Sequence, residues 1–190
     1  MILSDVAIKE MINCGNLGIT PFKESNIQAA SIDVTLSDSF HLMKPGEVEK
    51  KGKYFNLIPA DLKKPLDYNS LVKDEFILYP GKFVLASTTE RIKLPNDIGA
   101  WLNGRSSIGR LGIFIQNAGW IDPGFEGQIT LELFNAGNNA ITLKKNTRIG
   151  QLIFCKTDQP CENVYSGKYQ YQVGATDSMI YKDKEFSDET

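Results

Sequence analysis

The chain predicts a mainly β fold, a closed barrel or a double sheet, with a short N-terminal helix. Three observations carry that expectation. Short apolar–polar alternations recur along most of the length, as in Ser31–Leu36 and Gln128–Leu133. Turn clusters separate them, among them Pro80-Gly81, Gly137-Asn138-Asn139 and Lys144-Lys145-Asn146. Only one stretch has helical periodicity. Many short strands at regular spacing are the signature of a closed or double-sheet β architecture.

In chain order, the helix comes first. Ser4 suits its N-cap, Asp5 its first turn, and Val6, Ile8, Met11 and Ile12 form an apolar stripe that Gly15 ends. Strand Ser31–Leu36 follows and carries on toward His41. Phe76–Tyr79 and Lys82–Ala86 read as two strands around the Pro80-Gly81 turn. Gln128–Leu133, Ile141–Leu143 and Ile149–Phe154 complete the set. Residues 44–74 are polar, with Lys-rich stretches and Pro45, Pro59 and Pro65, and read as an insertion or long hairpin over the barrel. From about Val173 the periodicity fades, and Asp177–Thr190 is acidic and poor in core formers. Residues 1–178 are therefore expected to form one domain and 179–190 a mobile tail.

Composition narrows the chemistry. With 190 residues the chain can bury a core without staples. Its 21 basic and 23 acidic residues give a net charge of −2, no field for a nucleic-acid backbone. No apolar run approaches the ~20 residues of a membrane span. The opening Met-Ile-Leu-Ser-Asp lacks a basic flank and apolar run, so a cytoplasmic location is expected. Three cysteines, Cys14, Cys155 and Cys161, do not suit a disulfide framework or a four-ligand zinc site. The one histidine, His41, sits in a strand-like run and reads as structural. Chemistry then falls to carboxylates, hydroxyls, amides, lysine and arginine.

The densest stretch is Gly104–Asn135. Ser106 is placed to cap a short helix starting at Ser107, whose free N–H groups favour an anion. Arg105 and Arg110 flank that turn and add charge-assisted donors. A capped surface turn with two solvated arginines has the same spacing. Asp122-Pro123-Gly124 is first of all a turn. On the strand 128–134, Ile129, Leu131 and Leu133 share one face, and Gln128, Thr130, Glu132 and Phe134 the other. Glu132 thus faces water or lines a polar pocket, where it would be suited to moving protons. Lys168-Tyr169-Gln170-Tyr171-Gln172 is either a polar loop or a lid over a phosphorylated ligand.

Taken together, five ordered motifs resemble the dCTP deaminase branch of the dUTPase superfamily. They are Ser-Ile-Asp-Val-Thr-Leu at 31–36, Gly-Arg-Ser-Ser-Ile-Gly-Arg at 104–110, Gly-Trp-Ile-Asp-Pro-Gly-Phe-Glu-Gly-Gln-Ile-Thr-Leu-Glu at 119–132, Thr-Arg-Ile-Gly-Gln-Leu at 147–152 and Lys-Tyr-Gln-Tyr-Gln-Val-Gly at 168–174. The resemblance runs from Met1 to about Ser178. It implies a distorted, jelly-roll-like β-barrel with a few further short helices, assembled as a homotrimer with active sites between subunits, and dCTP and dUTP as substrates. Arg105, Ser106, Ser107, Ile108, Gly109 and Arg110 match the triphosphate-binding turn. Asp122 matches the aspartate near the deoxyribose, Thr130, Leu131 and Glu132 the base pocket, and Glu132 the catalytic glutamate. Gln151 belongs to the fourth motif, and Tyr165, Lys168 and Gln172 to the closing C-terminal segment.

Members that only deaminate typically carry His-Arg before the Ile-Asp of the third motif. Those that also cleave the triphosphate carry Ala-Gly and an aromatic residue. Ala118-Gly119-Trp120 is similar to the bifunctional kind, which implies dCTP going to dUMP, ammonia and pyrophosphate, with dUMP available for dTMP synthesis. Where relatives often have His and Thr upstream, this chain has Ile115 and Asn117. The resemblance further implies Mg²⁺ held by phosphates and water, metal-free deamination without zinc, and dTTP as a candidate inhibitor. Catalysis would rest on Glu132 and Asp122. A deaminase that stops at dUTP, a plain dUTPase and a non-catalytic nucleotide sensor are the alternatives.

Overall fold

A curled antiparallel sheet dominates the computed structural model, which describes residues 1–44, 65–116 and 119–186. The strands are β1 (Gly18–Thr20), β2 (Ile27–Gln28), β3 (Ser31–Met43), β4 (Tyr68–Val72), β5 (Glu75–Leu78), β6 (Phe83–Lys93), β7 (Ile98–Gly104), β8 (Ile113–Gln116), β9 (Trp120–Ile121), β10 (Glu126–Asn135), β11 (Ile141–Lys144) and β12 (Arg148–Lys156). The main path runs β8-β10-β6-β3-β12-β7-β9, with β1 on β6 and β2 and β4 on β3. β8 and β9 lie at opposite ends of this path yet are separated by only residues 117–119. That short connection requires the sheet to curl toward itself, and Ile115 of β8 indeed stands against Gly104 of β7. The result is a partly closed barrel, as the spaced strands predict.

Alternation decides what the curl encloses. Ile129, Leu131 and Leu133 of β10 point inward with Val34, Leu36, Phe40, Ile92, Ile98, Leu152 and Phe154, all buried. The helix α1 (Asp5–Asn13) is capped as expected, its Ser4 Oγ accepting from Ala7 N–H, and it buries Ile8 against the sheet. Val6 is instead exposed, so it lies outside the buried stripe. Gly15 follows the helix at φ +78°, a conformation that disfavours a Cβ.

One local reading is refined and a second is corrected. Phe76–Tyr79 and Lys82–Ala86 do flank a turn, with Lys82 N–H donating to Tyr79 O at 3.1 Å. Yet the strands part company there. β5 pairs with β11 in a separate ribbon, and β6 enters the main sheet between β10 and β3. The alternation of β6 places Val84 and Ala86 in the barrel core, which outweighs local hairpin pairing. The correction concerns Ser106. The turn α2 (Ser106–Gly109) begins at Ser106 itself, and Arg105 takes the cap position without any side-chain cap bond. Of residues 44–74, β4 pairs with β3, whereas 45–64 lie outside the described residues.

Candidate active site

The alternation that buries Leu131 turns its neighbours outward. Thr130 and Glu132 project from β10 into a cavity of about 560 Å³. Leu85 of β6, the register partner of Glu132, and Phe83 line the same wall. Trp120, Ile121 and Asp122 bring the end of β9 to it, and Tyr165, Tyr169 and Gln172 bring the C-terminal segment. The volume lies in the range of small-molecule sites, roughly 300–1,000 Å³. A half-buried carboxylate beside a hydroxyl, inside an apolar strand, can hold and transfer protons to a bound ligand.

The C-terminal segment closes this face by adding itself to β10. Tyr171 N–H donates to Glu126 O at 2.7 Å and Gln128 N–H to Gln172 O at 3.0 Å. The Gln172 side chain donates back to Gln128 O at 2.7 Å. Beyond, Gly174 N–H reaches Gln128 Oε1, Ala175 N–H reaches Ser39 Oγ, and Thr176 N–H reaches Thr130 Oγ1 at 3.1 Å. Asp177 then meets His41 Nδ1 at 2.7 Å. Burial pushes the Tyr68 phenol up, against a pull from the backbone of Ser178. The stretch after Val173, where the periodicity fades, thus makes a series of contacts as far as Met179, whose N–H donates to Tyr169 OH.

Tyr165 is held from below. Its N–H donates to Pro123 O at 2.9 Å, and its ring packs 5.8 Å from that of Phe125. The Asp122-Pro123-Gly124 turn is fixed by Phe125 N–H on Asp122 O and by Gly124 N–H on Pro95 O. Trp120 Nε1–H donates to Asp122 Oδ1 at 2.8 Å.

Of the residues singled out in the sequence, Trp120, Asp122, Thr130, Glu132, Tyr165 and Gln172 meet at this cavity. Leu131 does not, because its side chain is fully buried on the opposite face of β10. Lys168 is drawn to Asp183. Gly119 adjoins Trp120, while Asn117 and Ala118 lie outside the described residues. Arg105, Ser106, Ser107, Ile108, Gly109, Arg110 and Gln151 form a second region that does not line the cavity. There Arg148 Nη1 lies 3.0 Å and Arg105 Nε 3.6 Å from the carboxylate of Asp33, which is only 3% exposed. Arg105 Nη1–H also donates to Arg148 O. Gln151 stands directly opposite Asp33, so the two share a face. Ser106, Ser107 and Arg110 are exposed, and Ile108 packs on the core. The two arginines share the buried Asp33, while the exposed hydroxyls of Ser106 and Ser107 and the guanidinium of Arg110 are the donors suited to an anion.

Sequence reasoning missed Tyr68, Phe83, Leu85, Tyr169, Thr176, Asp177 and Ser178 as lining residues, and Asp33 and Arg148 as partners of Arg105. Ordinary strand alternation signals Phe83 and Leu85 together, and Tyr169 falls in the run read as a lid, whereas nothing local marks the others. Among the described residues no group of three or more His, Cys, Asp or Glu side chains could hold a metal ion. No helix of the described residues is long and apolar enough to cross a membrane.

Residues 2–157 match the dCTP deaminase-like family. A protein named dCTP deaminase, dUMP-forming, from Aquifex aeolicus is 44% identical over 191 residues, covering 100% of both chains. Its namesake from Hydrogenobaculum sp. is 48% identical over 184 residues, covering 96% of this chain and 98% of its own. Among solved structures, 2'-deoxycytidine 5'-triphosphate deaminase from Agrobacterium tumefaciens aligns with a TM-score of 0.60 at 24% identity. That alignment covers 82% of this chain and 48% of the other, about half its length, and shows a shared fold. By its sequence along most of its length, the chain belongs to the dCTP deaminase-like family.

Proposed function

We propose that this chain is a bifunctional hydrolase that converts dCTP and two waters to dUMP, ammonia and pyrophosphate. The observation that carries the reading is the placement of Glu132. It lies on the cavity wall beside Thr130, with the aromatic and polar side chains of the C-terminal segment over it. Relatives of the same length and up to 48% identity are named for this overall conversion, which supports it further.

Deamination uses the chain's own acid. Glu132 accepts a proton from a water whose oxygen bonds to C4 of the cytosine. It returns that proton to N3, then takes the proton of the new C4 hydroxyl and passes it to the amino group; the C4–N bond breaks as C4=O forms, and ammonia leaves. In the second step Asp122 orients a water for attack at the α-phosphorus. The new P–O bond forms as the bond to the β-phosphate oxygen breaks, and pyrophosphate departs. Mg²⁺ carried by the triphosphate supplies charge neutralisation there. Gln172, Tyr165 and Lys168 belong to the segment that closes on the nucleotide, with Lys168 exchanging Asp183 for a phosphate.

The cavity and the Arg105–Arg110 turn are separate within one chain. A homotrimer unites them when the cavity of one subunit receives the arginine turn of the next, with Gln151 beside it. dTTP, which keeps the sugar and triphosphate, is a candidate inhibitor at the same place.

Incubation with dCTP and Mg²⁺, following ammonia, dUTP, dUMP and pyrophosphate together, tests the reading. Equal yields of ammonia and pyrophosphate with dUMP as the end product are expected. Accumulating dUTP without pyrophosphate would reduce the activity to deamination alone, and binding without turnover would leave a nucleotide sensor.

A further inference from the structure

Trp120 and Asp122 are two residues apart in an extended segment and so lie on the same side of it. The indole Nε1–H donates to Asp122 Oδ1 at 2.8 Å. What holds the indole is equally specific. Trp120 stands directly across from Trp101 on β7, and the two rings meet edge to face at 4.7 Å and 62°. Its six-membered ring then lies over Gly99, the diagonal neighbour on the same strand. A Cβ at Gly99 would sit 2.1 Å from Cζ2 and 2.3 Å from Cη2 of that ring, less than any contact allows. Gly99 has no positive φ to explain its glycine, so the demand is for space, and Trp120 is what fills that space.

From this arrangement we infer that Trp120 is a positioning residue for Asp122, and that Gly99 and Trp101 form the seat that aims its N–H. With Oδ1 committed to the indole and the following Pro123-Gly124 turn pinned by Pro95, the carboxylate has one orientation. Oδ2 is left as the oxygen that receives the water. Nothing comparable links Trp120 to Glu132. Loss of the indole donor should therefore fall on triphosphate cleavage more than on ammonia release. The inference rests on the proposed role of Asp122 and adds how that group is held.

The test compares Asp122→Asn, Trp120→Phe and Gly99→Ala. Each is assayed for pyrophosphate release from dUTP and ammonia release from dCTP, both with Mg²⁺. Trp120→Phe keeps an aromatic ring but removes the N–H donor together with part of the indole's bulk. Its ratio of pyrophosphate release to ammonia release should fall about tenfold or more, with the loss in kcat for dUTP and not in KM. Gly99→Ala, which touches no ligand, should shift the ratio in the same direction by displacing the ring. Should Gly99→Ala fail to fold, Trp120→Phe decides alone. An unchanged ratio in Trp120→Phe, or a rise in KM alone, overturns the positioning role. Asp122→Asn separates the two layers. If it still releases pyrophosphate, the assignment of Asp122 has failed. If it does not while Trp120→Phe behaves as wild type, only the positioning has.

Discussion

The acid-lined cavity and the arginine turn are built in opposite ways. The cavity is assembled from distant pieces of one chain, the middle of β10, the end of β9 and the C-terminal segment, and their polar groups largely satisfy one another. Thr130 receives Thr176, Gln128 receives Gly174, and His41 meets Asp177. The arginine turn is local, four residues of α2 between two arginines. It leans on the buried Asp33 from one side and leaves Ser106, Ser107 and Arg110 toward solvent. One region encloses a space and the other presents donors outward. That difference is what the proposed site between subunits would require of each half, and each half can be broken separately.

The largest effect belongs to the cavity. Glu132→Gln keeps shape and hydrogen-bonding capacity but cannot accept a proton, so ammonia release from dCTP should fall on the order of 10³-fold. Calorimetric binding of dCTP should persist, and surviving ammonia release would remove Glu132 from the mechanism.

One position along β10, the side chain changes purpose. Leu131→Ala opens a hole in a fully buried position and should cost about 3 kcal/mol in urea unfolding. A loss of activity without loss of stability would place Leu131 in the site after all.

Arg105→Ala tests the other half. It should weaken triphosphate binding about tenfold or more, leaving an inactive preparation at low dCTP. Mixing it with Glu132→Gln after dissociation and reassembly sharpens the contrast. If cavity and turn come from neighbouring subunits, about a quarter of the sites in a random equal mixture regain both intact halves. No recovery would mean that both halves act within one chain.

The smallest effect concerns Glu90, which does not line the cavity. It is 4% exposed and accepts Thr35 N–H and Oγ1–H, each at 2.8 Å. Burial raises its pKa, partly opposed by those bonds to Thr35. The folded state therefore holds a proton that the unfolded chain releases at lower pH. That contribution is complete below the ordinary glutamate value near 4.5 and is lost as pH climbs through the raised folded value. Glu90→Gln removes the titration and mispairs one donor. It should cost about 1 kcal/mol at acid pH, and the gap from wild type should shrink toward neutrality. A gap that widens with pH would reverse the sign assigned to burial.

Much of this was legible before any coordinates. The alternation at 128–134 separates Leu131 from Thr130 and Glu132 on geometry alone, because successive strand side chains point oppositely. The Ser4 cap and Gly15 stop were readable for the same local reason. Local signals failed where partners are far apart in sequence. The Pro80-Gly81 turn and its two flanking strands were legible, but not their partners, which are β11 for β5 and β10 for β6. Ser106 looked like a cap, but the chain leaving β7 makes Arg105 the last extended residue. Asp33 looked like any polar strand position until β12 delivered Arg148 and the end of β7 delivered Arg105.

By itself, then, the sequence determined the β class, the inner and outer faces of the strands and the motif residues, since all of these follow from spacings of a few residues. The tertiary structure alone decided that the C-terminal segment lies along β10, that Trp120 rests on Gly99 and aims at Asp122, and that the arginine turn stays apart from the cavity. Those depend on which strands meet across the curl, and long-range pairing is set by the burial of the whole core.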